Sequence, residues 1–166
     1  MNKKLLVLIV VIIGLAVFFM LKPPSPEEQI KNQLAQLKQS INSHQPSQNP
    51  IQAMKIAREL TEFASNDIVI QHQTQDIKYD FITEKKELNY SLVMGQRMYD
   101  SVNIDWLETQ INILSEYEAT VDVVIKVLVK VNNSDLFEDV IPARFYLSKI
   151  EDNWKITKAY NLDPFE

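Results

Sequence analysis

Tyr117-Glu-Ala-Thr-Val-Asp-Val-Val-Ile-Lys-Val-Leu-Val-Lys-Val131 decides the fold. Its odd positions are all apolar: Tyr117, Ala119, Val121, Val123, Ile125, Val127, Val129 and Val131. Its even positions mix Glu118, Thr120, Asp122, Lys126 and Lys130 with Val124 and Leu128. Side chains that alternate with a period of two belong to a β-strand with one buried face, here about 45–50 Å long. So long a strand needs partners, and it must twist or bend. Val127 lies on the apolar face, so an aspartate there is expected to cost several kcal/mol.

The partners flank it. Upstream, Ile104 and Trp106 alternate on even positions, then Leu107, Ile111 and Ile113 on odd ones. That change of phase at Trp106-Leu107 predicts a β-bulge. Downstream, Asn132-Asn133-Ser134-Asp135 is turn chemistry. A strand carrying Ile141, Ala143, Phe145 and Leu147 follows, and Glu151-Asp152-Asn153 turns into a last strand with Trp154, Ile156, Tyr160 and Leu162. Pro142 has no N–H for a ladder, which places it at a bulge or strand end.

Upstream of the strands the period is helical. Ser25, Pro26 and Glu28 spell a capping box that opens a helix with Ile30, Leu34, Leu37 and Ile41 on one stripe, ending near Ser43. Asn49-Pro50 opens a second helix, buried through Ala53, Met54, Ala57, Leu60 and Phe63 and stopped by Ser65-Asn66-Asp67. Ile68, Val69 and Ile70 form a short strand, and a third helix runs from about Thr83 to Tyr99. The expected class is α+β: three N-terminal helices packed on a curved antiparallel sheet of four to five strands.

Before these helices stands an unbroken apolar run, Leu5 to Leu21. As a helix it would be roughly 25 Å long, near the short limit for a bilayer core. Lys3 and Lys4 precede it and Lys22 follows, so the positive-inside rule holds the N-terminus in the cytoplasm. Phe18, Phe19, Met20 and Leu21 are too bulky for a signal cleavage site. The expected organisation is a transmembrane anchor over 1–22, a tether over 23–26 and an extracytoplasmic domain over 27–166. That makes a single-pass protein of the cell membrane, in contact with the lipid bilayer through Leu5 to Leu21.

Composition excludes several chemistries. The chain has 166 residues and a formal net charge of −5, with every acidic residue beyond Lys22. That balance argues against nucleic acid, which needs clustered Lys or Arg. No cysteine is present, which removes disulfides, thiol catalysis and sulfur-ligated metal. Gly14 and Gly95 are the only glycines, so glycine-rich phosphate loops cannot form. The histidines are His44, in a polar loop, and His72, followed by Asp76 and Asp80. That spacing falls short of a defined metal cluster, and no metal, cofactor or catalytic residue is assigned.

Asn153-Trp154-Lys155-Ile156-Thr157-Lys158 is similar to the hairpin exit and Trp-basic-Ile opening of the last strand in the nuclear transport factor 2-like superfamily. The element order over residues 26–162 also resembles that superfamily's cystatin-like α+β cone. The resemblance implies a cone lined by Tyr99, Trp106, Trp154 and Tyr160. Lys158 stands where many enzyme-like members place His, which weakens any transfer of catalysis. The expected function is a binding or assembly module of an envelope complex, with an envelope protein or a second copy as partner. The alternatives are a carrier of a small apolar ligand, or an isomerase- or hydratase-like enzyme using Asp105 or Asp122 as acid with Tyr99 or Tyr160 as donor. A carboxylate in an apolar cone would have a raised pKa suited to that work.

Overall fold

The computed structural model describes residues 23–73, 78–131 and 135–162. In chain order they form α1 (Pro26–Ser43), α2 (Pro50–Thr61), β1 (Ala64–Gln73), β2 (Lys78–Ile82), α3 (Lys85–Gly95), β3 (Tyr99–Ile113), β4 (Glu118–Val131), β5 (Leu136–Ile150) and β6 (Asn153–Asn161). The strands make one sheet in the order β2-β1-β6-β5-β4-β3.

Local chemistry sets the element ends. Ser25 Oγ accepts from the Glu28 amide, and the Glu28 carboxylate accepts from the Ser25 amide at 2.9 Å, closing the capping box of α1. Asn49 Oδ1 accepts from the Ile51 amide at 2.9 Å and starts α2, with Pro50 in its first turn. The β5–β6 turn uses Glu151 at φ 49° and Asp152 at φ 62°, both left-handed, in place of glycine.

β3 to β6 form an antiparallel meander, as the alternation predicts. The register of β3 on β4 slips between Trp106 and Glu108, where the phase of the sequence changes. Pro142 lies inside β5, opposite Val124, but beyond the end of β6. Its carbonyl accepts the Leu162 amide at 2.8 Å, so its N side points past the end of β6 and no ladder bond is lost.

Two features of the sheet correct the expected class. It has six strands rather than four or five, because the polar stretch after Ile70 pairs back on itself as β2. It is also mixed: β1 runs parallel to β6, with Ala64 beside Ile156 and Ile70 beside Ala159. The parallel pairing begins with the Ile156 amide donating to the Phe63 carbonyl at 2.9 Å. It carries Ser65, Asn66 and Asp67 into the strand instead of leaving them as a stop.

The expected transmembrane helix, and the single-pass cell-membrane localisation drawn from it, are likewise corrected. Among the described residues no helix is long and apolar enough to cross a membrane. The longest, α1, carries Glu27, Glu28, Lys31 and Lys38 and buries only one stripe. Leu5 to Leu21, from which the anchor was read, lie outside the described residues.

α1 lies on one face of the sheet. Ile30 and Leu34 pack there against Ala119, Val121 and Val123 of β4, Ala143, Phe145 and Leu147 of β5, and Trp154 of β6. Val121 and Ile30 have no exposed surface. Ala53, Ile56 and Ala57 of α2, Ile68 of β1 and Ile82 at the end of β2 are buried outside that cluster, and the Gln96 side chain just beyond α3 donates to the Ala53 carbonyl at 2.9 Å. Met54, expected inside α2, is instead 54 % exposed, and Ile56 takes its place.

β3 is an edge strand, and α1 closes part of that edge. The Asn42 side-chain amide donates to the Ile104 carbonyl at 2.9 Å, and its oxygen accepts the Ile104 amide at 2.8 Å. One side chain thus satisfies both backbone groups that a further strand would have taken. Asn42→Ala should lower stability by about 1–2 kcal/mol, read from a denaturant midpoint. An unchanged midpoint would show that water replaces the amide at no cost.

Candidate functional site

The four aromatic residues expected in a cone do not converge. Trp154 is 2 % exposed, and its indole N–H donates to Gln29 Oε1 at 3.2 Å while its carbonyl accepts from the Gln33 side chain. The Trp106 indole donates to the Leu34 carbonyl at 3.1 Å, and its ring meets Phe145 edge to face at 6.5 Å. Both tryptophans tie α1 to the sheet and fill the space beneath it. Tyr160 lies on the opposite, back face, 6.0 Å from the Tyr146 ring. Tyr99 lies at the start of β3, paired with Val131 at the far end of the sheet.

The carboxylates of the enzymatic alternative also lie away from the interior. Asp105 is exposed on the edge strand, where the hydrogen bond and charge of Lys38 hold its carboxyl below the usual range. Asp122 is on the back face and takes both ends of the Arg144 guanidinium, one contact at 2.9 Å. That bond raises the Arg144 pKa further above its ordinary value. Burial pushes the Tyr160 hydroxyl up, and its hydrogen bond with Tyr146 adds to the shift. The Lys158 ammonium stands 5.8 Å from the Tyr146 ring centre and 5.7 Å from that of Tyr160. This network braces the back of the sheet, where Asp122 borders a small cavity of about 220 Å³ with Glu108 and Thr109, and Tyr160 borders one of about 490 Å³.

His44 closes the α1–α2 corner, with Nε2 3.0 Å from Glu59 and Nδ1 2.7 Å from the Ser40 carbonyl. Asp80 accepts from the Gln71 side chain, whereas the His72 side chain and Asp76 lie outside the described residues. Among the described residues no group of three or more His, Cys, Asp or Glu side chains could hold a metal ion.

The open surface is elsewhere. α1 covers only part of its face of the sheet. Further along, the same apolar stripe continues as Val102, Ile104, Val127, Val129 and Ile141, all half-buried. β6 stops at Asn161 opposite Ala143, whereas β5 continues back to Leu136. On the far side of β6, β1 pairs with it as far as Gln71 beside Tyr160. A slot one strand wide is left between β5 and β1. It has a volume of about 490 Å³ and is lined by Ile70, Asp139, Ile141, Phe145, Ala159 and Leu162. Beside it Leu136 and Phe137 are 63 % and 59 % exposed.

No family model and no curated protein matches this chain. Solved structures do. One from Pseudomonas putida KT2440, an NTF2-like protein of unknown function, superposes with a TM-score of 0.61 at 11% identity, covering 84% of this chain and 87% of its own. The fold is the NTF2-like cone. A cystatin-like domain of unknown function from Nostoc punctiforme matches at a TM-score of 0.61 and 12% identity, covering 87% and 82%. A Novosphingobium aromaticivorans protein provisionally named a scytalone dehydratase matches at 0.61 and 12%, covering 81% of each chain. In this domain of NTF2-like fold the space under α1 is filled by tryptophan; Leu136, Phe137 and Val140 are exposed at the far end of the sheet, and Ile51, Met98, Leu114 and Tyr117 are exposed elsewhere.

The slot escapes a reading of the sequence because it depends on two strand lengths. The alternation around Ile141 to Leu147 marks only half of β5. Its first half, Leu136-Phe-Glu-Asp-Val140, places Phe137 and Asp139 on the same face as Ile141 and breaks the pattern.

Proposed function

We propose that this NTF2-like domain is a binding module, of the assembly kind, that holds a partner at the open end of its sheet. The observation that carries this reading is the exposed Phe137 on the same face as the half-buried stripe of Val127, Val129 and Ile141, with Leu136 and Val140 exposed on the back of the same strand end. Large exposed apolar groups gathered in one place mark contact surfaces. Asp105 and Asp122, the acids that cone catalysis would use, are engaged by Lys38 and Arg144 outside the covered interior.

Leu136→Ser with Phe137→Ser should change stability by less than about 1 kcal/mol, because both side chains are already in water. The doubly substituted full-length chain should lose the protein that co-purifies stoichiometrically with the wild type from its own cells. Identical co-purification would contradict the reading. A second reading, a carrier of a small apolar molecule, is supported by the slot volume of about 490 Å³. Ligand pockets usually occupy about 300–1,000 Å³.

A further inference from the structure

We infer that the groove between α1 and the β5–β6 hairpin binds a neutral polyhydroxylated ligand, a sugar unit of a glycan, through the side-chain amides that line it. The groove flanks the opposite end of β5 from Phe137, so this inference stands apart from the binding surface proposed above.

The sequence places the amides. Gln29, Asn32, Gln33 and Gln36 recur at intervals of three and four, which puts them on one face of α1. Asn153 lines the groove from the hairpin. The groove has a volume of about 570 Å³, within the range of about 300–1,000 Å³ usual for ligand sites. Part of this set holds the walls. Gln29 donates to the Pro24 carbonyl at 2.8 Å and accepts the Trp154 indole N–H at 3.2 Å. Gln33 donates to the Trp154 carbonyl, and Asn153 donates to the Glu151 carbonyl at 2.9 Å. The Gln33 and Asn153 side-chain oxygens are left over. So are both ends of Asn32 and Gln36, which are exposed and have no protein partner among the described residues.

The class of ligand follows from what else is satisfied. Two acids and two lysines line the groove, so the lining has no net charge. Glu62 meets Lys85 at 3.1 Å, Lys149 meets Asp152 at 3.5 Å, and Lys155 donates to the Glu62 carbonyl. No uncompensated charge invites an ionic ligand. The bordering main-chain carbonyls of Pro24, Glu62 and Trp154 already accept side-chain bonds, and that of Phe63 accepts the Ile156 amide at 2.9 Å. A peptide would therefore find no strand ladder to join. The unused groups are carboxamides, each with donors and an acceptor at one planar end. A sugar hydroxyl likewise donates and accepts, so neighbouring hydroxyls match such an end twice over. Asn32 and Gln36 lie one turn apart, with Cβ atoms about 5–6 Å from each other, and span one sugar ring. The half-buried Phe63 borders the groove and supplies apolar surface for the C–H face of that ring.

The probes are cellotriose, maltotriose and the trimer of N-acetylglucosamine, each titrated into the isotope-labelled full-length chain and followed by amide chemical shifts. At least one is expected to move the side-chain amide signals of Asn32, Gln33, Gln36 and Asn153. Asn32→Ala with Gln36→Ala should weaken that sugar about tenfold or more, through two lost hydrogen bonds. Both positions are exposed on a helix, where alanine is well tolerated, and a melting curve checks that the variant is folded. Gln110→Ala, which removes an exposed amide of β3, should leave sugar binding unchanged. The inference is overturned if none of the three sugars moves these signals at its solubility limit, or if sugar binding is indifferent to the double substitution. A stronger response of the same signals to a neutral hexapeptide of glycine and serine also overturns it, and makes the groove a peptide site.

Discussion

Val121→Asp should remove a large share of the domain's stability. Val121 is fully buried on β4, opposite Phe145 on one side and Ile111 on the other, under Ile30 and Leu34 of α1. A carboxylate there has no cation within the cluster, which is built of apolar side chains alone. Either it is desolvated as an ion, or it is held neutral with its hydrogen bonds unmade, and both are costly. The expected loss is about 4–5 kcal/mol, against a total stability of about 5–15 kcal/mol for a domain of this kind. Val127→Asp is the instructive control. It lies three pairs along the same face, but it is only half-buried and opposite Asp139, outside the buried cluster under Ile30 and Leu34. Its aspartate can reach water, so it should cost clearly less than Val121→Asp. Circular dichroism melts of the two variants would check this, and equal losses would mean that the far half of the face is as dry as the near half.

Trp154→Ala should cost about 3–5 kcal/mol, the range for removing a buried aromatic side chain and leaving a cavity. The indole does two things at once. It fills the space between α1 and the β5–β6 hairpin, and it bonds Gln29 at 3.2 Å. Trp154→Phe keeps most of the volume and loses the N–H, so it should recover more than half of the loss. A denaturant titration separates the two. If Trp154→Phe were as damaging as Trp154→Ala, the Gln29 bond would dominate over packing, and the account of how α1 is held would be wrong.

The parts of the fold legible in the sequence are those fixed by local chemistry or by contact with a continuous core. Ser25 and Glu28, and Asn49 before Pro50, are caps whose partners lie within three residues, so their pattern survives any tertiary context. The bulge after Trp106 shows because the residues on both sides of it face the same buried layer. The same logic explains the errors. Val127 shares the alternation of Val121, but alternation reports a face and not what covers it. Met54 sits beside the buried arc of α2, which runs through Ala53, Ile56, Ala57 and Thr61 and leaves it outside. β2 and the polar half of β1 belong to a sheet margin with little apolar surface to face, so no period of two is written into them. The aromatic residues were visible as candidates, but composition does not separate a tryptophan that lines a cone from one that fills it. The slot was not legible at all, since it is the difference between where β5 begins and where β6 ends.

The central claim is that the open end of the sheet, and not a cone interior, is the working surface. The most direct test is a photo-crosslinking amino acid placed at Phe137 in the full-length chain in its own cells, compared with one at Thr120 on the back face. One discrete adduct with a partner protein is expected from position 137 and none from position 120. Adducts from both positions, or from position 120 alone, would contradict it.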